Sequence, residues 1–117
     1  MKILRSFGFA WQGLRYSFAT QLNFKIHLLL ALFATGLGIG LQISTAEWML
    51  VLFCMAIVLF AEMVNTAIEK LCDLVEPRIH PQIKLVKDIT AGAVLISAVV
   101  SAVTGAIIFL PKIILLF

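Results

Sequence analysis

The run WMLVLFCMAIVLFA, Trp48 to Ala61, passes without a break into EMVNTAIEKLCDLVEP, Glu62 to Pro77. Its first half is uncharged and reads as embedded in hydrocarbon, whereas its second half carries four carboxylates. At about 100° per residue on a helix, Glu62, Asn65, Glu69, Asp73 and Glu76 fall on one stripe roughly 80° wide. Its first member, Glu62, therefore stands at or inside a membrane boundary. An ionisable group there costs about 2.5 to 3.5 kcal/mol on insertion scales, which makes it a functional candidate. The structural alternative is a helix end whose charges snorkel into water, and Glu62 is the residue that strains it.

The rest of the chain agrees with a membrane setting. Of its 117 residues 62% are hydrophobic and 13% charged, and the mean hydropathy is +1.11. That balance lies outside the range of ordinary soluble domains. Three runs have the length of about 20 residues that a spanning helix needs, and they predict spans at about 26–46, 48–70 and 88–110. Ahead of them, Ile3, Leu4, Phe7, Trp11, Leu14, Phe18 and Leu22 keep helical spacing, with Lys2, Arg5, Gln12 and Arg15 largely off that stripe. This is the pattern of a helix lying in the interface, over about 3–20. Gly8 and Gly13 weaken that helix, so part of its order must come from the membrane or from the spans. The expected fold is all-α and integral to the membrane: a surface helix and three transmembrane helices in one domain, without repeats or a separable soluble part. The amino terminus lacks the continuous apolar core of a secretory signal and is expected to remain on the protein.

The net charge of +3 says less than its placement. Lys2, Arg5, Arg15 and Lys25 precede the first span, and Lys70, Arg78, Lys84 and Lys87 lie between the second and third. The connection from Ser44 to Glu47 has no Lys or Arg, and the carboxyl end has only Lys112. The positive-inside rule then predicts a cytoplasmic amino terminus and a cytoplasmic 70–88 segment. Cations that flank apolar spans serve a lipid surface better than a nucleic acid. Cys54 and Cys72 have neither disulfide-framework nor zinc spacing and read as packing residues.

Local signals fill in the joints. Gly36 and Gly40 stand in GxxxG register, which predicts close helix approach there. His27, in the polar collar Gln21, Asn23, Lys25, His27, reads as a headgroup-level anchor. Ser44 with Glu47 three residues on forms a capping box, and Pro77 ends the acidic helix. Small residues along the third run, among them Ala91, Ser97, Ser101 and Gly105, suit packing against other helices.

About 15 residues of helix from Glu47 place Glu62 roughly 22 Å along, near the inner edge of the hydrocarbon. Lys87 and Arg78 then oppose the acidic stripe. Carboxylates facing cations at such a boundary suit Mg²⁺ with a polyphosphate between them, which makes phosphoryl transfer the natural class. One carboxylate would hold metal on the phosphates and another would take the proton of an attacking hydroxyl. Glu62 and Glu69, about 10 Å apart along the helix, fit that division, and the depth of Glu62 implies a lipid hydroxyl. No Walker A loop or kinase glycine-rich loop is present. A small proton- or cation-coupled transporter would also bury a carboxylate, but it leaves Glu69, Asp73 and Lys87 outside the ion pathway. A structural subunit leaves Glu62 and Asn65 as unexplained costs.

EMVNTAIEKLCDL followed by HPQIKLVKDITAGAVLI, with GLRY (Gly13 to Tyr16) and NFKIH (Asn23 to His27) ahead of the first span, resembles the small integral-membrane lipid kinases of bacteria, the prokaryotic diacylglycerol kinase and undecaprenol kinase family. NFKIH and AGAVLI look closer to the undecaprenol kinase branch. The resemblance implies a homotrimer that transfers the γ-phosphate of MgATP to a lipid alcohol, at sites on subunit boundaries near the cytoplasmic face of a bacterial inner membrane. It implies Glu62 as general base and Asn65 close to the transferring group. Glu69 matches a metal-binding carboxylate that also meets ATP. Asp73, His80, Lys87 and Asp88 match nucleotide-side positions, and Lys2 and Phe9 a basic and an aromatic residue near the nucleotide. Gln21 departs from the pattern, since the family usually offers the metal a second carboxylate there. An amide oxygen still coordinates Mg²⁺ but brings no charge.

Overall fold

The computed structural model describes residues 1–117 and is entirely helical: α1 Lys2–Thr20, α2 Leu22–Leu41, α3 Thr45–Val75 and α4 Pro81–Leu115. The last three are long and apolar enough to cross a membrane. At 1.5 Å per residue α3 is about 46 Å long and α4 about 52 Å, against roughly 30 Å of hydrocarbon. Both therefore project well beyond any bilayer they cross.

The turn between α2 and α3 decides how the helices stack. The sequence predicts a first span running to Ala46, but α2 stops at Leu41, because Gln42 adopts the left-handed conformation at φ 54°. The Ile43 amide then reaches back to the Gly38 carbonyl at 3.2 Å, the long bond of a Schellman end. Two residues later the expected capping box starts α3. Ser44 Oγ accepts from the Glu47 amide and Glu47 Oε1 accepts from the Ser44 amide. So short a connection forces α2 and α3 antiparallel and side by side.

Packing is densest at this end, where Ile43, Val51, Ile108 and Phe109 form the buried cluster beside Trp48 and Ile113. Lys112 Nζ closes it with a 2.9 Å bond to Glu47 Oε2. Within the chain the close helix approach is at Gly38 rather than at Gly36 and Gly40. A Cβ on Gly38 would sit 2.7 Å from Cη2 of Trp48, while the other two glycines meet open space.

At the opposite end α3 finishes at Val75, two residues before Pro77, and α4 begins at Pro81. The third helix was expected from about 88. It starts seven residues earlier because Pro81 occupies the first helical turn, where its missing N–H costs nothing, and His80 Nδ1 accepts from the Gln82 amide. Pro111 lies inside α4 near its end and the helix runs on to Leu115. Only 11 of the 117 residues are buried, so the chain does not fold by hiding its apolar surface from water. Lipid is its solvent, and short-range packing and hydrogen bonds set the helix arrangement. On α1 only Ser17 is buried, and Ile3, Leu4, Phe7 and Trp11 are exposed on its apolar side, as an interfacial helix requires.

Candidate active site

Two sets of side-chain contacts fix the helix register. Between α2 and α3, Gly38 meets Trp48, Thr35 Oγ1 lies 3.7 Å from Met55 Sδ, and His27 Nε2 lies 3.1 Å from Glu62 Oε1. Between α3 and α4, the levels are Glu47 with Lys112, Cys54 with Ser101 and Asp73 with Lys87. Each step toward Glu76 along α3 is matched by a step back along its neighbours. Extrapolated nearly two turns from His27 and Glu62, the same register would set Gln21, at the α1–α2 break, near the level of Glu69.

Glu62 is 4% exposed. Its carboxylate is not satisfied. The imidazole of His27 is near, yet its ring N–H does not point at Oε1, which is enclosed without a donor. The carboxylate's small residual exposure belongs to Oε2. Thr66 Oγ1 bonds the Glu62 backbone carbonyl instead, at 2.9 Å. One turn on, Asn65 Nδ2 donates to Glu69 Oε1 at 3.1 Å, as the stripe at i, i+4 spacing predicts, and Asn65 Oδ1 is left buried without a donor. Enclosed acceptors without partners are rare and costly, about 1–3 kcal/mol each. Two of them on one stripe, a turn apart, are what a ligand-loaded site leaves open.

Further along, cations on α4 come into play. Lys87 Nζ on α4 donates to Asp73 Oδ1 at 2.8 Å, and Lys84 Nζ to Asp88 Oδ2 at 2.6 Å. Lys87 and Asp73 thus face each other across α3 and α4, as the sequence suggests. Glu76, however, turns away to Arg78, whose Nε and backbone N–H both donate to it. The Arg78 guanidinium and then its amide hold the Glu76 carboxyl below the usual carboxylate range. His80 has its Nδ1 committed to the start of α4.

The surface helix meets this end at Tyr16, where Lys70 Nζ lies 5.5 Å from the ring centroid. The Lys70 ammonium holds the Tyr16 phenol below its usual range. Phe9 and Lys2 stand about 10 and 21 Å further along α1 from that contact. Both side chains are exposed, and neither makes a hydrogen bond or ion pair with the stripe. Gln21 sits in the break between α1 and α2, its Nε2 donating to Thr20 Oγ1 at 3.3 Å.

The contact that sequence reading missed is His27 with Glu62. Three elements line an open apolar pocket of about 560 Å³ beginning at His27 and running past Ala34, Val58 and Ser101 toward Phe109. His27 is its polar end.

Residues 8–109 match the family model described as prokaryotic diacylglycerol kinase. The chain belongs to that family. It is a lipid kinase, and its three long apolar helices embed it in a membrane. Among its relatives, the undecaprenol kinase of Bacillus subtilis (strain 168) is 36% identical over 111 residues, 95% of this chain and 90% of that one. A diacylglycerol kinase of Synechocystis is 34% identical over 93% of this chain and 63% of its own length. The diacylglycerol kinase of Escherichia coli (strain K12) is 26% identical over 92% and 88%.

Proposed function

We propose that this lipid kinase transfers the γ-phosphoryl group of ATP to the hydroxyl of diacylglycerol or undecaprenol, with Mg²⁺, at the cytoplasmic face of a bacterial inner membrane. The observation that carries the proposal is Glu62: a buried carboxylate with an unpartnered oxygen, on the same helical stripe as the Asn65–Glu69 pair. Relatives bearing the names undecaprenol kinase and diacylglycerol kinase supply the two lipids.

Glu62 is the general base. Its Oε2 takes the proton of the lipid hydroxyl as that oxygen bonds to the γ-phosphorus and the bond to the β-phosphate oxygen breaks, releasing ADP. Asn65 stands a turn away beside the transferring group. Glu69, one heptad from Glu62, faces the nucleotide. Mg²⁺ fits the donors present: it needs one or two protein oxygens and takes the rest from phosphate and water. Glu69 and, level with it, the amide oxygen of Gln21 would hold it, and it would supply charge neutralisation on the phosphates. Lys87, paired with Asp73 at rest, exchanges that carboxylate for phosphate charge. Asp73, Asp88 and His80 line the nucleotide side, and the basic and aromatic residues Lys2 and Phe9 reach the nucleotide in a homotrimer whose sites lie between subunits. The Lys and Arg placement supports a cytoplasmic amino terminus and a cytoplasmic α3–α4 connection.

The test is transfer from γ-labelled ATP in detergent–lipid micelles, with diacylglycerol and undecaprenol in parallel, with and without Mg²⁺. Labelled lipid from one of them, dependent on Mg²⁺, is expected. Folded protein that labels neither lipid refutes the assignment of substrates.

A further inference from the structure

We propose that His27 is the positioning residue of Glu62, an inference that rests on the reading of Glu62 as the base. With lipid and nucleotide in place, the Nε2–H of His27 holds Glu62 Oε1 and thereby aims Oε2 at the lipid hydroxyl.

The side-chain donors next to this carboxylate on α3 are engaged elsewhere. Thr66 Oγ1 bonds a backbone carbonyl and Asn65 Nδ2 bonds Glu69. His27 alone approaches, from a different helix, at 3.1 Å to the enclosed oxygen. The two oxygens of Glu62 are thus unequal: Oε1 is shut in against the imidazole without a donor, and Oε2 holds what exposure remains. A base works through the oxygen its substrate reaches, and it works well only if that oxygen is fixed.

The ring stands at bonding distance but out of line, a geometry that tightens when a catalytic site is loaded. A neutral imidazole with its proton on Nε2 suffices as donor. His27 stands on α2 at the level of Glu62, so the positioning group and the carboxylate lie on adjacent packed helices.

The experiment uses the full-length enzyme in lipid micelles, with His27→Asn, His27→Gln and His27→Phe made alone and with Glu62→Gln. A Gln amide reaches about where Nε2 stood, whereas an Asn amide reaches only the place of Nδ1. His27→Asn and His27→Phe are expected to lower kcat by about 10²-fold, leaving the KM values for ATP and lipid within about twofold of wild type. His27→Gln is expected to recover most of kcat. On a Glu62→Gln background, His27→Asn should cost nothing more, because it acts through the group already removed.

Wild-type kcat in His27→Asn overturns the proposal, and so does equal loss in the Asn and Gln variants or a loss that multiplies with that of Glu62→Gln. If the Phe variant does not fold, the Asn and Gln pair decides alone. Full turnover in Glu62→Gln itself would remove the base reading and this one together. An inactive Glu62→Gln beside a fully active His27→Asn removes only the role of His27.

Discussion

Glu62→Gln separates function from stability more cleanly than any other substitution in this chain. The change keeps the shape of the side chain and removes its charge and its basicity. A positioned general base contributes about 10²–10⁴-fold to rate, or roughly 3 to 5.5 kcal/mol at 1.36 kcal/mol per tenfold. Stability should move the other way. The carboxylate is 4% exposed and one oxygen is enclosed without a donor, a state that costs about 1–3 kcal/mol for a neutral acceptor and more for a charged one. A neutral amide relieves part of that cost and brings its own N–H donors. The expected outcome is turnover down by two to four decades, ATP affinity nearly unchanged, and a melting temperature equal to or above wild type. Transfer from labelled ATP and thermal melting in one detergent measure all three. Turnover within about threefold of wild type would refute the base assignment. A lower melting temperature would refute the energetic reasoning, since Glu62 and His27 would then be a stabilising ion pair rather than a site held open.

Glu69→Gln should raise the KM for MgATP and the Mg²⁺ needed for half-maximal rate, each by about tenfold or more, since a ligand charge is lost; unchanged Mg²⁺ titration would remove Glu69 from the metal. Gln21→Glu should shift the same titration to lower Mg²⁺, and no shift means that position 21 is not a ligand. Gly38→Ala forces a methyl to 2.7 Å from the rigid indole of Trp48, an overpacking cost of about 1–3 kcal/mol that outweighs the gain in helix propensity of about 1 kcal/mol. Gly36→Ala meets open space within the chain and should melt higher than Gly38→Ala; the reverse order would place a neighbouring subunit's helix against Gly36.

Much of this fold is written in local signals. The apolar runs announce three helices, the Ser44–Glu47 box marks the start of α3, and 3.6-residue spacing alone puts Asn65 and Glu69 in reach of each other. What escaped were features set by geometry between elements. GxxxG spacing pointed to Gly36 and Gly40, but the left-handed Gln42 turns the chain so that Gly38 receives Trp48. A positive φ at a glutamine has no composition signal, so neither the early end of α2 nor the choice of glycine was legible. His27 looked like an anchor because its partner lies 35 residues away. The tight α2–α3 turn held the clue, since an antiparallel hairpin folded at 42–44 carries position 27 to the level of position 62. The capping of α4 by His80 Nδ1 also went unread, a role that Pro81 at the next position could have signalled.

The lengths of α3 and α4 connect these details to the chemistry. Transfer from a water-soluble nucleotide to a lipid hydroxyl requires a base in low dielectric and a metal and phosphate site in water, at a fixed separation. A helix that ends at the membrane surface provides only the first. With Glu62 about 22 Å along α3 from Glu47, the same rigid rod continues past the hydrocarbon edge and sets Glu69 about 10 Å and Asp73 about 16 Å further out. Glu62 is 4% exposed whereas the Asp73 side chain is well exposed, so the two ends of the stripe sit in unlike surroundings. The early start of α4 completes the arrangement. Had the third helix begun near residue 88, Lys84 and Lys87 would lie on a loop, and a loop does not hold a cation to within the fraction of an ångström that phosphoryl transfer demands. Capped at His80 and Pro81, α4 extends as far as α3 and carries Lys87 rigidly to Asp73. The two long helices thus work together: α3 presents one acidic face, and α4 meets it with Lys87 paired to Asp73.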